Sequence, residues 1–315
     1  MHQALRIIFL GTPDFAVPSL DILHKNNFSI VAVVTAPDKP SGRGLKVQES
    51  SVKKYAVEHH LPILQPTKLK DPSFIEELSS LKADLQVVVA FRMLPEAVWN
   101  MPPLGTINLH ASLLPHYRGA APINWAVING EKETGVTTFK LLHAIDTGQI
   151  IDQKKVAIGN EETAGELHDR LMLEGAQLLL KTVQSFADGN YQLTPQFSLS
   201  DNTHIIKTAP KIFKEDCRID WNKNVNEIYN LVRGLSPSPA AWTTLNGKQL
   251  KIFFGKKNTS LAFSVPGTAE TDHKTYIRIA CKEGWLYLTE IQWEGKKRMG
   301  VEEFLRGFRE DPVVG

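Results

Sequence analysis

Two cysteines in 315 residues, Cys217 and Cys281, are too few for a disulfide framework, so a reducing compartment is expected and stability must come from packed cores. Long apolar runs are also missing. No uninterrupted run exceeds Val87 to Phe91 (Val-Val-Val-Ala-Phe), far below the roughly 18 residues that a bilayer span requires. Leu5 to Leu10 is too short for the apolar core of an export signal and leads straight into Gly11-Thr12-Pro13-Asp14. Neither a membrane association nor secretion is expected, and the protein is expected to be cytoplasmic. The Gly-x-Gly-x-x-Gly pattern is absent after the first strand, which argues against NAD or FAD. A Walker sequence is absent too, and no pair of Cys or His has zinc spacing, so no metal is expected.

What is present fits an ordinary globular chain of two unequal domains: 42% hydrophobic and 22% charged residues leave enough apolar surface to build cores and exclude a disordered or collagen-like polymer. The net charge of +2 hides an asymmetry. Residues 1–206 carry 18 Lys and Arg against 21 Asp and Glu, net −3, whereas residues 207–315 carry 18 against 13, net +5. A basic C-terminal part suits a polyanionic partner, although a solvated basic surface gives the same count.

Apolar, β-branched runs at Leu5–Leu10, Ile30–Thr35, Leu85–Phe91, Thr106–Leu109 and Val136–Leu142 alternate with helical spacing at 15–24, 52–60, 72–82, 121–128 and 163–187. Strands that alternate with helices predict an α/β fold: a Rossmann-like, mostly parallel sheet with helices on both faces and ligands at the carboxyl ends of its strands. The alternation stops near Asn190. Residues 190–208, polar and aperiodic around Pro195, read as a linker between a first domain over 1–189 and a second over 209–315. The second opens with a helix at 225–235. Strands at 241–245 and 249–254 then flank Asn246-Gly247, a hairpin turn signal, and further strands follow at 276–281 and 286–293. A small, basic, β-rich module of this kind is most economically a β-barrel (OB-like), a known nucleic-acid scaffold.

Three clusters could carry chemistry. Asn108-Leu109-His110-Ala111-Ser112-Leu113-Leu114-Pro115 follows a predicted strand, and residues two apart in a strand face the same way, so Asn108 and His110 project together. Asn supplies an amide donor to a developing oxyanion, and His exchanges protons near neutral pH; the same pair could equally tie down a loop. Asp146-Thr147-Gly148 could supply an acid beside His110 or simply form a turn. Ser112 is not in a Gly-x-Ser-x-Gly elbow and reads as a capping serine. The third cluster is Pro37 to Lys46, a long glycine-rich loop with Lys39, Arg43 and Lys46, suited to a phosphate backbone or to plain solvation.

Taken together, the chain resembles the methionyl-tRNA formyltransferase family. The residues that carry the likeness are Phe9-Leu10-Gly11-Thr12-Pro13-Asp14-Phe15-Ala16, Pro37-Asp38-Lys39-Pro40-Ser41-Gly42-Arg43-Gly44, Asn108 to Pro115, Tyr117-Arg118-Gly119-Ala120-Ala121-Pro122-Ile123, Glu133-Thr134-Gly135-Val136-Thr137, Asp146-Thr147-Gly148 and Arg218-Ile219-Asp220-Trp221. The resemblance implies a formyl donor, 10-formyltetrahydrofolate, and an acceptor, the α-amine of methionyl initiator tRNA, in translation initiation. It implies catalytic roles for Asn108, His110 and Asp146. Ser112, Leu113, Leu114, Pro115, Phe91, Arg92, Met93 and Thr147 would border the folate, Arg43 and Lys46 would reach the tRNA, and the enzyme would act as a monomer. Ala90-Phe91-Arg92-Met93 departs from the family's usual Ala-Tyr-Gly, and Ala111 stands at a common glycine position. A sugar or nucleotide-sugar N-formyltransferase would share the Asn108, His110 and Asp146 trio. It would have no use for the arginine loop or for the basic second module.

Overall fold

The computed structural model describes residues 5–41, 46–142, 146–196, 206–260 and 264–315. In chain order the first elements are β1 (Arg6–Gly11), α1 (Val17–Lys25), β2 (Ser29–Val34), β3 (Lys39–Ser41), β4 (Lys46–Gln48), α2 (Ser51–Glu58), β5 (Ile63–Leu64), α3 (Pro72–Ser80) and β6 (Leu85–Val89). There follow α4 (Glu96–Trp99), β7 (Thr106–His110), β8 (Arg118–Gly119), α5 (Pro122–Ile128), β9 (Glu133–Lys140), β10 (Gln149–Ala157), α6 (Ala164–Ala187) and β11 (Thr208–Ala209). The remainder is α7 (Val225–Leu235), β12 (Ala241–Leu245), β13 (Lys248–Asn258), β14 (Ala269–Thr271), β15 (Ile277–Cys281), β16 (Gly284–Trp293), β17 (Met299–Gly300) and α8 (Val301–Leu305). Two compact units result. One comprises residues 1–119, 135–156 and 168–208; the other comprises 120–134, 157–167 and 209–315.

The first unit is built on a seven-stranded sheet in the order β10-β9-β7-β6-β1-β2-β5. β5, β2, β1, β6 and β7 run parallel, and β9 is antiparallel to β7. The near-continuous apolar runs explain the parallel centre: Ile7 to Leu10 and Val87 to Val89 are buried, as strands covered on both faces must be. Helix α3 starts at Asp71, whose carboxylate caps the N–H of Ser73, and it buries Phe74 and Leu78, one turn apart, against Ile8, Leu10, Val34 and Val88. After β1 the chain moves outward to β2 and β5, then returns on the other side of β1 as β6. That reversal is a topological switch point, and the crevice it opens lies at the carboxyl ends of β1, β6 and β7.

In the second unit α5 lies against α7. Asn124 Nδ2 donates to the Gly234 carbonyl at 2.8 Å, and a Cβ on Gly234 would come within 2.5 Å of Ile128 Cγ1, so the helices meet only because that residue is glycine. Arg233 is buried and donates to the carbonyls of Gly159 and Glu162. The sheet, β12-β13-β16-β15-β14 with β17 on β16, is an antiparallel half-barrel. Asn246 and Gly247 take φ of 48° and 73°, the two left-handed residues that a type I′ hairpin demands. Leu250, Ile252, Ile279, Leu286 and Ile291 bury one face of the sheet with Ile228, Val232 and Leu235 of α7. Cys217 and Cys281 are free and buried in this core, and burial pushes the Cys281 thiol up to about 12, so neither is poised to react. The β12 edge is covered by single bridges from Arg218 to Trp242 and from Val314 to Leu245.

The start of α7 is a capping box: Asn224 Oδ1 accepts from the N–H groups of Asn226 and Glu227, and Glu227 Oε2 accepts from the N–H of Asn224. Asn224→Ala is expected to cost about 1 kcal/mol, read as a lowered urea midpoint in circular dichroism. An unchanged midpoint would show that the cap adds nothing to the packed helix.

Candidate active site

Strand β7 sits between β6 and β9, with Asn108 opposite Val88 and Phe139, and His110 opposite Thr137. Asn108 and His110 share one face, while Leu109 points the other way against Gly175, where a Cβ would lie 2.8 Å from Leu109 Cδ2. His110 is only 8% exposed. Its Nε2 lies 2.9 Å from the Tyr117 carbonyl, and because a carbonyl can only accept, Nε2 carries the hydrogen. The other ring nitrogen, Nδ1, faces Asp146 Oδ2 at 3.9 Å, beyond direct hydrogen-bond reach. That oxygen accepts the Gly119 N–H at 3.0 Å. Tyr117 and Asp146 both occupy the left-handed region, with φ of 60° and 52°. Non-glycine residues held there cost on the order of 1 kcal/mol each, a strain that accumulates at sites where a group must be aimed. Asn108 is half-buried, and its side-chain amide makes no hydrogen bond among the described residues.

The loop after β7 is pinned from beneath. Thr137 Oγ1 donates to the Ser112 carbonyl at 2.6 Å and accepts from the N–H of Leu114 and from Gln153 Nε2, which also donates to the Leu114 carbonyl. Ser112 is fully buried with its hydroxyl donating to the His116 carbonyl at 2.7 Å; Leu114 and Pro115 are buried and Leu113 is half-buried. At the carboxyl end of β6, Arg92 turns to the carbonyls of Thr67 and Pro66 and lies over the Phe91 ring, and Met93 is 73% exposed. Thr147 follows Asp146 in the same half-buried turn. Arg43 and the side chain of Lys46 lie outside the described residues. β3 pairs antiparallel with β4, and just before β3 lies Asp38, where bonds from Lys53 and Gln65 hold the carboxyl below its ordinary range. No group of three or more His, Cys, Asp or Glu able to hold a metal occurs among the described residues.

Two contributors are assigned no role from the sequence, although Thr137 is among the residues that carry the family likeness. Thr137 reads as an ordinary β9 residue, yet its hydroxyl makes three bonds under the loop. Gln196, inside the stretch expected as a linker, is buried and bonded to the Asp146 turn. The preceding Thr194 exchanges both backbone bonds with Ile150, at 2.8 Å each. Nine positions of that stretch, 197–205, lie outside the described residues.

A family model described as formyl transferase matches residues 5–183, and another, formyl transferase C-terminal domain, matches 211–309. The fold is accordingly that of a formyl transferase, a class of enzyme. Two solved structures share it at low identity. WlaRD, a sugar 3N-formyl transferase solved with dTDP and 5-N-formyl-THF, has a TM-score of 0.67 at 21% identity, over 94% of this chain and 100% of that one. HypX from Aquifex aeolicus, in complex with tetrahydrofolic acid, has a TM-score of 0.65 at 19% identity, over 98% of this chain and 49% of that one. Methionyl-tRNA formyltransferase from Parabacteroides distasonis is 55% identical over 98% of this chain and 97% of its own. The chain belongs to the methionyl-tRNA formyltransferase family. Among the described residues no helix is long and apolar enough to cross a membrane.

Proposed function

We propose that the protein transfers a formyl group from 10-formyltetrahydrofolate to the free α-amine of methionyl initiator tRNA, with Asn108, His110 and Asp146 as its catalytic groups. The observation that carries this reading is the pairing of Asn108 and His110 on one face of β7, at the carboxyl end of the sheet, with the Asp146 carboxylate 3.9 Å from His110 Nδ1. An amide with no hydrogen-bond partner among the described residues suits a substrate carbonyl at that position.

The donor supplies an electrophilic formyl carbon on a nitrogen that can leave. The methionyl amine forms a bond to that carbon, its C=O becomes a tetrahedral oxyanion, the bond to the folate nitrogen breaks, and the proton lost by the amine ends on that nitrogen. Asn108 donates an N–H to the oxyanion. His110 holds Nε2–H on Tyr117, which leaves Nδ1 to take up a proton; the resulting cation stabilises the oxyanion while the Asp146 carboxylate stabilises the cation. Ser112 to Pro115 with Phe91, Arg92, Met93 and Thr147 border the donor, and no metal takes part. Arg43, Lys46 and the basic C-terminal unit engage the RNA, and the protein acts as a cytoplasmic monomer.

The test is direct. With 10-formyltetrahydrofolate and charged initiator tRNA, formyl-methionine is expected on the RNA; formylation of an amino sugar instead of tRNA would overturn the reading. Phosphate contacts release counterions, so raising salt from about 50 to 200 mM should weaken tRNA binding by at least about ten-fold and alter donor affinity by less than about two-fold. Equal salt sensitivity of both ligands would remove the basis for an electrostatic grip on RNA.

A further inference from the structure

We propose that Gln196 is a positioning residue for catalysis, which sets the spacing between His110 and Asp146 by tying together the two chain segments that hold them. The proposal rests on the formyl-transfer reading above.

The two segments are far apart in sequence. His110 is aimed by the Tyr117 carbonyl, and the Asp146 carboxylate is aimed by the Gly119 N–H. Between those two anchors stands Arg118, whose Nε and Nη2 both donate to Gln196 Oε1. On its other side, Gln196 Nε2 donates to the carbonyls of Asp146 and Gly148, at 2.8 Å each. Both lone pairs of the amide oxygen and both hydrogens of the amide nitrogen are therefore in use, all inside a residue only 4% exposed. One side chain thus bridges the 117–119 segment to the 146–148 turn.

The turn needs such a tie. Asp146 is held at φ 52°, and Gly148 presses so closely on β9 that a Cβ there would lie 1.8 Å from the Lys140 carbonyl. The carbonyls of Asp146 and Gly148 take their donors from the Gln196 amide, and a side chain without N–H groups at that position would withdraw both bonds from the turn. Glutamine is the one uncharged side chain of this length that offers two donors to the turn and two acceptor sites to a guanidinium. Glutamate would satisfy Arg118 even better, but it would present oxygen to two carbonyl oxygens and push the turn away. Methionine would fill the volume and serve neither partner.

Gln196→Glu and Gln196→Met in the full-length protein provide the test. The wild-type protein is first assayed with 10-formyltetrahydrofolate and charged initiator tRNA; failure there would sink the formyl-transfer reading rather than this inference. With wild-type activity in hand, both variants are expected to lose about 10- to 100-fold in kcat, since sub-ångström misplacement of a catalytic group costs on that scale. The KM values for donor and tRNA should stay within about two-fold, because the lost interaction acts in the transition state and not in uniform binding. A cycle with Asp146→Asn distinguishes positioning from a general loss of structure. If Gln196 acts through Asp146, Gln196→Met should subtract little more once Asp146→Asn is present. The proposal is overturned by a folded variant with unchanged kcat, by losses confined to KM, by losses that multiply in the double variant, or by unfolding of both variants.

Discussion

Asn108→Ala is expected to lower kcat/KM for formyl transfer by on the order of 100- to 1000-fold and to leave the thermal midpoint of unfolding where it was. The size follows from the chemistry. A preorganised donor aimed at a developing oxyanion acts in a site largely closed to water, where removing one such donor costs several kcal/mol of transition-state stabilisation. The absence of a stability cost follows from the structure. Asn108 is half-buried on β7 and its amide has no hydrogen-bond partner among the described residues, so truncation orphans no buried group. The backbone pairing of β7 with β6 and β9 does not involve the side chain. Steady-state kinetics and a melting curve on the same preparation decide the matter: a rate within about ten-fold of the parent would remove Asn108 from catalysis, and a rate that fell with the melting temperature would make it structural.

Why the placement of Asn108 and His110 on one face of a strand could be read from the sequence, and the bonds of Gln196 could not, is a matter of range. The pair depends on one strand and the period of two along it, and the strand itself is announced by apolar residues buried on both sides. The same locality made β1, β6, α7 and the Asn246-Gly247 turn legible, because each owes its conformation to residues within a few positions of one another. β10 was harder. Gln149–Ala157 lies at the sheet edge and buries few of its residues, and its two lysines are exposed, so its composition does not resemble a strand's. Gln196 has partners 50 and 78 residues away, and nothing near it distinguishes a buried amide from a polar connector. The half-barrel unit is similar: residues 120–134 and 157–167 cluster with 209–315 through contacts such as Asn124 to Gly234, 110 positions apart. Periodicity says which face of a helix is apolar, but not which distant partner covers it.

Asp146→Asn should cost about 100- to 1000-fold in single-turnover formyl transfer with the fold intact, and the reason lies in the orientation of His110. Nε2–H is committed to the Tyr117 carbonyl, so the ring becomes a cation only by gaining a proton at Nδ1, the nitrogen that faces Asp146 across 3.9 Å. At that separation a carboxylate stabilises a cation by about 4 kcal/mol at an effective dielectric constant near 20, equivalent to on the order of 1000-fold in rate if the cation forms in the transition state. Asparagine matches aspartate in shape, tolerates the left-handed φ of 52° at this position, and its amide oxygen can still accept the Gly119 N–H. The substitution therefore removes the charge and keeps the anchor. Asp146→Ala would remove both, and its added loss over Asp146→Asn would measure the anchor separately. Should Asp146→Asn retain activity within about ten-fold of the parent while remaining folded, the charge would be irrelevant to the reaction, and His110 would have to act as a neutral imidazole.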